Sequence, residues 1–224
     1  MRAERILDAA AELLLRHGYR RITIEDVAQH AGIAKGAIYL HWKSREGLFE
    51  GVLQREAVET FQELLSALKS NPQTALPWVL MPLVLVSIVH RPVLRAFFLS
   101  DSEVLGDLAR DEPARRERFG LAPGESYLQL LFDHHVIRGD LSMGDALYLL
   151  GMLVRGFFSF EPSTSQGMIT LERRAELLAG IIQHALAAAE PLSGGEVAVL
   201  AEDSIALFTR MVTAIRTQLE RAFA

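Results

Sequence analysis

Residues 25–49 read EDVAQHAGIAKGAIYLHWKSREGLF. Two short segments with helically spaced apolar residues meet at Ala31-Gly32-Ile33, and the second ends in Lys, Tyr, His, Trp, Lys and Arg. Ala28 is small enough to let two helices approach, Gly32 makes the turn through positive φ, and Ile38 anchors the second helix on the first. Two helices fixed in this way expose the N-terminal half of the second, which fits a major groove about 12 Å wide. Its exposed residues are Lys35, Gly36, Ala37, Tyr39, His41 and Lys43. Lys and Tyr can donate to phosphate oxygens, Lys35 can reach a guanine edge, and Ala37 can lie against a thymine methyl. The competing reading is a plain αα-hairpin with Tyr39 and Trp42 in its core and its charges on a solvated face.

Charge distribution sharpens the choice. The chain of 224 residues carries a net charge of −5. Residues 1–50 hold 8 Lys+Arg against 7 Asp+Glu, a net +1, which leaves −6 on the remainder. A local cluster of cations is what meets phosphate, so an acidic total does not exclude a polyanion partner. The acidic remainder would be repelled by DNA, which fixes the docking end.

The rest of the chain also reads as helix, and the fold class is all-α. Residues 2–17 place Ile6, Ala10, Leu13 and Leu14 at helical spacing, with Gly18 as the residue after the helix. Thr23 caps a second helix and Ser44 a fourth that runs to about Lys69, although Gly47 stands where a capping box needs Glu or Gln. Further helices are expected at 75–90, 92–110, 113–138, 144–160, 171–189 and 196–222, separated by Pro92, Pro113, RGDLSMGD (138–145), EPSTSQG (161–167) and PLSGG (191–195). No repeat and no strand pattern is present. The most apolar run, ALPWVLMPLVLVSIVH (75–90), is shorter than the roughly 18–20 residues a membrane span needs, and Pro77 and Pro82 interrupt it. The expectation is a soluble chain with no membrane partner. The absence of Cys excludes disulfides and Cys-ligated metal and fits a reducing cytoplasm.

Residues 4–50 resemble the N-terminal domain of TetR-family transcriptional regulators, with ILDAAAELLLRHGY, TIEDVAQHAGIAKGAIYLHWKS and LF in the family's order and spacing. The resemblance implies a helix-turn-helix DNA-binding domain over 1–46 and a helical ligand-binding and dimerisation domain over 47–224. It also implies a homodimer on a palindromic operator, usually a repressor released by a small ligand. By position it adds Thr23 to Lys35, Gly36, Ala37, Tyr39, His41 and Lys43 as DNA contacts, with Tyr39, His41 and Lys43 mainly on phosphate. Ala34 and Ala37 stand where members commonly have Ser or Thr, and Trp42 where Phe is usual. Affinity or operator preference is therefore expected to differ while the docking mode survives.

The resemblance weakens beyond about residue 50. In such proteins the helices near 144–160 and 171–189 pair with their copies in the dimer. Gly151 and Gly156 lie in the first of them, where glycine costs about 1 kcal/mol relative to Ala, so close packing is a reason to keep it. For a ligand pocket the candidates are Phe61, Trp78, Met81, Phe97, Phe98, Tyr127, Leu131, Met152 and Phe158, with His134 and Arg155 as polar anchors; together they suggest an apolar or aromatic effector. Arg155 could equally pair with an acidic residue across the dimer. The tail repeats Ala201, Ile205, Phe208, Val212, Ile215, Leu219 and Ala222, an apolar seam expected to pack on the ligand domain.

No catalytic constellation, no metal site and no cofactor motif is found. Adjacent His134 and His135 point about 100° apart on a helix and make no ligand pair. The rival functions are an enzyme with an incidental N-terminal domain, and a regulator without a small-molecule ligand, either an activator or one controlled by a protein partner.

Overall fold

The computed structural model describes residues 2–109, 123–159 and 169–223. Among them the elements in order are α1 (Arg2–His17), α2 (Ile24–His30), α3 (Lys35–Tyr39), α4 (Arg45–Ser70), α5 (Pro77–Val89), α6 (Pro92–Leu99), α7 (Ser102–Leu105), α8 (Pro123–Asp133), α9 (Met143–Ser159), α10 (Leu171–Leu186) and α11 (Gly194–Phe223). Short 3-10 turns follow α1, α4 and α7. The described residues contain no strand, only one antiparallel bridge between Ile137 and Ala187.

The chain divides into two compact units. The first comprises 1–59, 91–121 and 212–224, the second 60–90 and 122–211.

In the first unit α1 turns Ile6, Leu7, Ala10, Leu13 and Leu14 inward, the spacing of one helical face. They meet Val27, Ile38, Trp42, Phe49, Val93 and Phe97 in one apolar cluster. Two arginines brace it. The Arg45 guanidinium lies 4.0 Å over the Tyr19 ring and donates to the carbonyls of Tyr19 and Ile22 at 3.2 and 2.9 Å. Arg55 donates to Asp8 at 2.6 Å and Glu4 at 3.2 Å, tying α4 to α1. Gly18 ends α1 at φ 72°, and a Cβ there would stand 2.4 Å from the Glu103 carbonyl oxygen. Backbone passes too close for any side chain.

One expected helix is broken. Residues 92–110 were expected to be continuous, but α6 stops at Leu99 because Ser100 adopts a left-handed conformation, φ 54°. The Asp101 carboxylate then accepts from the N–H groups of Glu103 and Val104, at 2.9 and 3.2 Å, and starts α7. The signal was local: DSE is an N-cap followed by an acidic first turn. The start of the expected 113–138 helix and the 161–167 break lie outside the described residues.

The second unit is built around α4's C-terminal half, α5 and α8 to α10, with α11 along them. The rings of Phe61 and Phe208 stack at 5.8 Å, and Tyr127 lies 5.8 Å from Phe208. The Tyr127 hydroxyl donates to the Ala75 carbonyl at 2.7 Å, and burial pushes its pKa up. The part of α11 up to residue 211 therefore packs in the second unit at Phe208, whereas Val212, Ile215 and Leu219 of the seam expected on the ligand domain belong to the first unit, where Gln54 donates to Gln218 at 3.1 Å. Ser204, rather than Ile205, is fully buried on that face.

Gly51 in α4 tests the first unit's packing. A Cβ there would stand 2.7 Å from the Trp42 indole nitrogen and 3.4 Å from Leu7. Helix propensity alone favours Ala over Gly, but overpacking a filled core costs about 1–3 kcal/mol. Gly51→Ala is expected to lower the urea midpoint of the first unit. A raised midpoint would show that the Trp42 ring can yield.

Candidate nucleic-acid interface

Each functional position is set by a local reason. Thr23 starts α2 through a reciprocal cap. Its hydroxyl donates to the Asp26 carboxylate at 2.7 Å and accepts from the Asp26 N–H at 3.2 Å, while the Thr23 N–H donates to the same carboxylate at 2.8 Å. The Thr23 side-chain bond, then the backbone one, hold the Asp26 carboxyl below its ordinary range. The expected role of Thr23 as a DNA contact meets a constraint here, since its one hydroxyl proton is already given to Asp26.

The turn between α2 and α3 is made by Gly32 at φ 65°, with its N–H donating to Gln29 and that of Ile33 to Ala28 at 3.1 and 3.0 Å. Ala34 begins α3 without a side-chain cap. Ile38 and Trp42 point into the core at 0% and 2% exposure. Lys35, Gly36, Tyr39 and Lys43 consequently face outward, and Ala37 and His41 are partly exposed. Six of the seven residues assigned to DNA lie on or just after α3, and Thr23 lies at the mouth of α2.

Three features of this surface were not read from the sequence. Leu40 stands 64% exposed beside Tyr39, although a leucine between Ile38 and Trp42 looks like core. Lys35 forms an ion pair with the Glu25 carboxylate across the turn, and its ammonium lies 5.8 Å from the Tyr39 ring centroid. The Glu25 carboxyl is held below its ordinary range, first by the bond from Lys35, and Lys35 is held above its own, first by the bond to Glu25. His30 Nε2 lies 2.8 Å from the Glu12 carboxylate, joining α2 to α1. Glu25 lies ten residues from Lys35, beyond any spacing within one helix, so only the turn brings them together.

The residues expected to line a ligand pocket separate into groups. Phe97 is not a pocket residue but a buried member of the first unit's core, with Phe98 at 6.1 Å in an edge-to-face arrangement. Met152, 52% exposed, and Arg155 lie on the outer face of α9, so neither lines an interior cavity. The helical spacing that suggested a lining fits an outward stripe equally well. Phe61, Tyr127, Leu131 and Phe158 are buried in the second unit; Trp78 and Met81 are half-buried. His134 is paired with Asp203 at 2.9 Å. Among the described residues no group of three or more His, Asp or Glu could hold a metal ion. No single helix among them is long and apolar enough to cross a membrane.

Comparison with known proteins bears on this interface. The profile of the bacterial regulatory proteins of the tetR family matches residues 6–52, the segment that forms α1 to α3 and the start of α4. The HTH-type transcriptional regulator SrpR of Pseudomonas putida is 26% identical over 145 residues, 63% of this chain and 62% of that protein. The stretches matched to the first curated relatives span between 16% and 62% of those proteins' lengths. Among solved structures, the TetR family protein CprB of Streptomyces coelicolor A3(2) has a TM-score of 0.53 at 21% identity, over 95% of this chain and 96% of that one. The transcriptional regulator FadR of Bacillus subtilis, in complex with stearoyl-CoA, has a TM-score of 0.55 at 14% identity, over 92% and 96%. These likenesses show a shared fold.

Because Lys35 is held by Glu25, removing the acid should release it. Glu25→Gln is expected to strengthen binding to duplex DNA of any sequence and to steepen the log K versus log [salt] slope by about 0.9, one further phosphate. Fluorescence anisotropy at several salt concentrations measures this, and an unchanged slope would mean that Lys35 makes no phosphate contact.

Proposed function

We infer that this chain is a transcription regulator and a cytoplasmic homodimeric repressor, a reading supported by the match of residues 6–52 to the tetR-family profile and by the fold shared with CprB. It binds a palindromic operator through two copies of α3 and is released by a small apolar or aromatic effector. The observation that carries the DNA reading is the outward face of α3: Lys35, Gly36 and Tyr39 stand on a helix whose opposite side, Ile38, is fully buried. A rigid, cationic and aromatic projection of this size suits a major groove. Among the described residues nothing lies within 4 Å of a Cβ added at Gly36. The bare backbone there leaves room for a partner that docks from outside.

Dimerisation is supported by α9 and α10. Tyr148 and Met152 on α9 are 73% and 52% exposed, and Leu177 and Ile181 on α10 are 44% and 51% exposed. Each pair is four residues apart and so shares a helix face. Gly151 and Gly180 beside them are open, which would allow another helix to come close. A two-fold copy would cover the same patch on both protomers. Two recognition helices about 34 Å apart would then meet successive major grooves. An effector that prefers another separation by about 2.7 kcal/mol weakens operator binding about 100-fold.

Three variants test the reading. Gly36→Ala should leave folding stability equal or higher, since alanine is the better helix former by about 1 kcal/mol, yet weaken operator binding. Full affinity in that variant would remove α3 from the groove. Lys43→Ala should weaken binding to all sequences and reduce the salt slope by about one unit. Ile181→Asp should yield monomers in light scattering and lose about 100-fold or more in operator affinity through lost bivalency. A dimer that persists would place the interface elsewhere.

A further inference from the structure

A cavity of about 370 Å³ opens in the second unit where the start of α5, the turn after α8 and the segment after α10 come together. Its inner wall is apolar. Leu76, Val136 and Val197 line it and are 8%, 3% and 3% exposed. Half-buried Trp78 adds an indole to the lining, and Gln183 and Glu190 are among its polar residues. The size falls within the roughly 300–1,000 Å³ of small-molecule sites.

The cavity has a fixed frame. The Arg138 N–H donates to the Leu186 carbonyl at 2.9 Å and the Ala188 N–H to the Val136 carbonyl at 3.0 Å, so two of its walls are joined backbone to backbone. The end of α8 is a Schellman turn: the N–H of Val136 donates to Leu131 at 2.9 Å and that of His135 to Phe132 at 3.0 Å. His135 consequently sits at φ 55°, a position where glycine would be less strained. Ala187, Ala188 and Ala189 line the same wall; longer side chains in that run would fill the space.

The lining also carries a sign. Among the described residues of the lining Glu190 is the one carboxylate and there is no Lys or Arg; His135, exposed like Glu190, is the one titratable base. An anion would meet the Glu190 carboxylate with no permanent cation beside it. A cation would meet a carboxylate and an indole, whose π-system attracts positive charge. We propose that this cavity binds a small organic cation, an ammonium head carrying an apolar or aromatic body, with the head toward Glu190 and the body against Trp78 and Leu76. The proposal rests on the reading of the second unit as ligand-binding, and it names the chemical class.

The test is calorimetric titration of the full-length protein, without DNA, using benzyltrimethylammonium and, as the anion of similar size, 3-phenylpropanoate. The expected result is saturable binding of the cation, one per chain, with the anion weaker by about tenfold or more, a difference of about 1.4 kcal/mol. Glu190→Gln should weaken the cation about fivefold to tenfold, and Ala189→Phe should abolish its binding, both with unchanged circular dichroism and melting. Absence of saturation at 10 mM, equal binding of the anion, or full cation affinity in Glu190→Gln would each overturn the site. Operator affinity with and without saturating cation is read separately. Cation binding that leaves operator affinity unchanged would count against the effector role alone, and operator binding without cation binding would count against the cavity alone.

Discussion

A helix of five residues has no stability of its own. Isolated helices shorter than about 12–15 residues are marginal in water, because the first turn fixes several dihedrals for one hydrogen bond. The helix α3 has only Lys35 to Tyr39, so its position depends on burial of Ile38 and Trp42, at 0% and 2% exposure, in the core with α1, α2 and α4. Full burial of a large apolar side chain contributes about 1.5–3 kcal/mol. Two such anchors, one at α3's last turn and one just past its end, orient every outward residue between them. The bare backbone at Gly51 receives the Trp42 ring, and Arg45 fixes the turn that leads into α2 from beneath.

This arrangement explains why a surface proposed to meet a polyanion contains acids. Asp26 completes the cap of α2, Glu25 holds Lys35, and Glu12 meets His30. All three pairs are solvent-exposed, where ion pairs contribute little to stability and are screened by salt. Their larger consequence is for the phosphate balance. A cation already paired releases less counterion on binding, which lowers sequence-independent affinity relative to contacts made with base edges.

The second unit follows a different logic. Its apolar interior is closed by aromatic contacts around Phe208 and by the short backbone pairing of 136–138 with 186–188. What it leaves open is more informative: an apolar stripe on α9 and α10, and a cavity with a carboxylate and an indole in its lining. Large exposed apolar residues grouped on one face mark interaction surfaces more often than isolated ones do. Met152 belongs to that stripe, although its spacing alone could not separate a pocket wall from a contact face.

Helical class, the turn at Gly32, the inward direction of Ile38 and Trp42 and the cap at Thr23 were legible in the sequence, because each rests on contacts within a few residues. Helical periodicity and capping chemistry are local. The Lys35–Glu25 pair, the exposure of Leu40, the place of Phe97 in the first unit and the cavity beside Trp78 were not legible. Each depends on which distant segment arrives: Gly18 against Glu103, or 136–138 against 186–188. The sequence alone determined the helical class and the chemistry α3 carries. Only the tertiary structure decided which of those groups remain available to a partner, because burial and charge pairing are properties of neighbours that the chain order does not name.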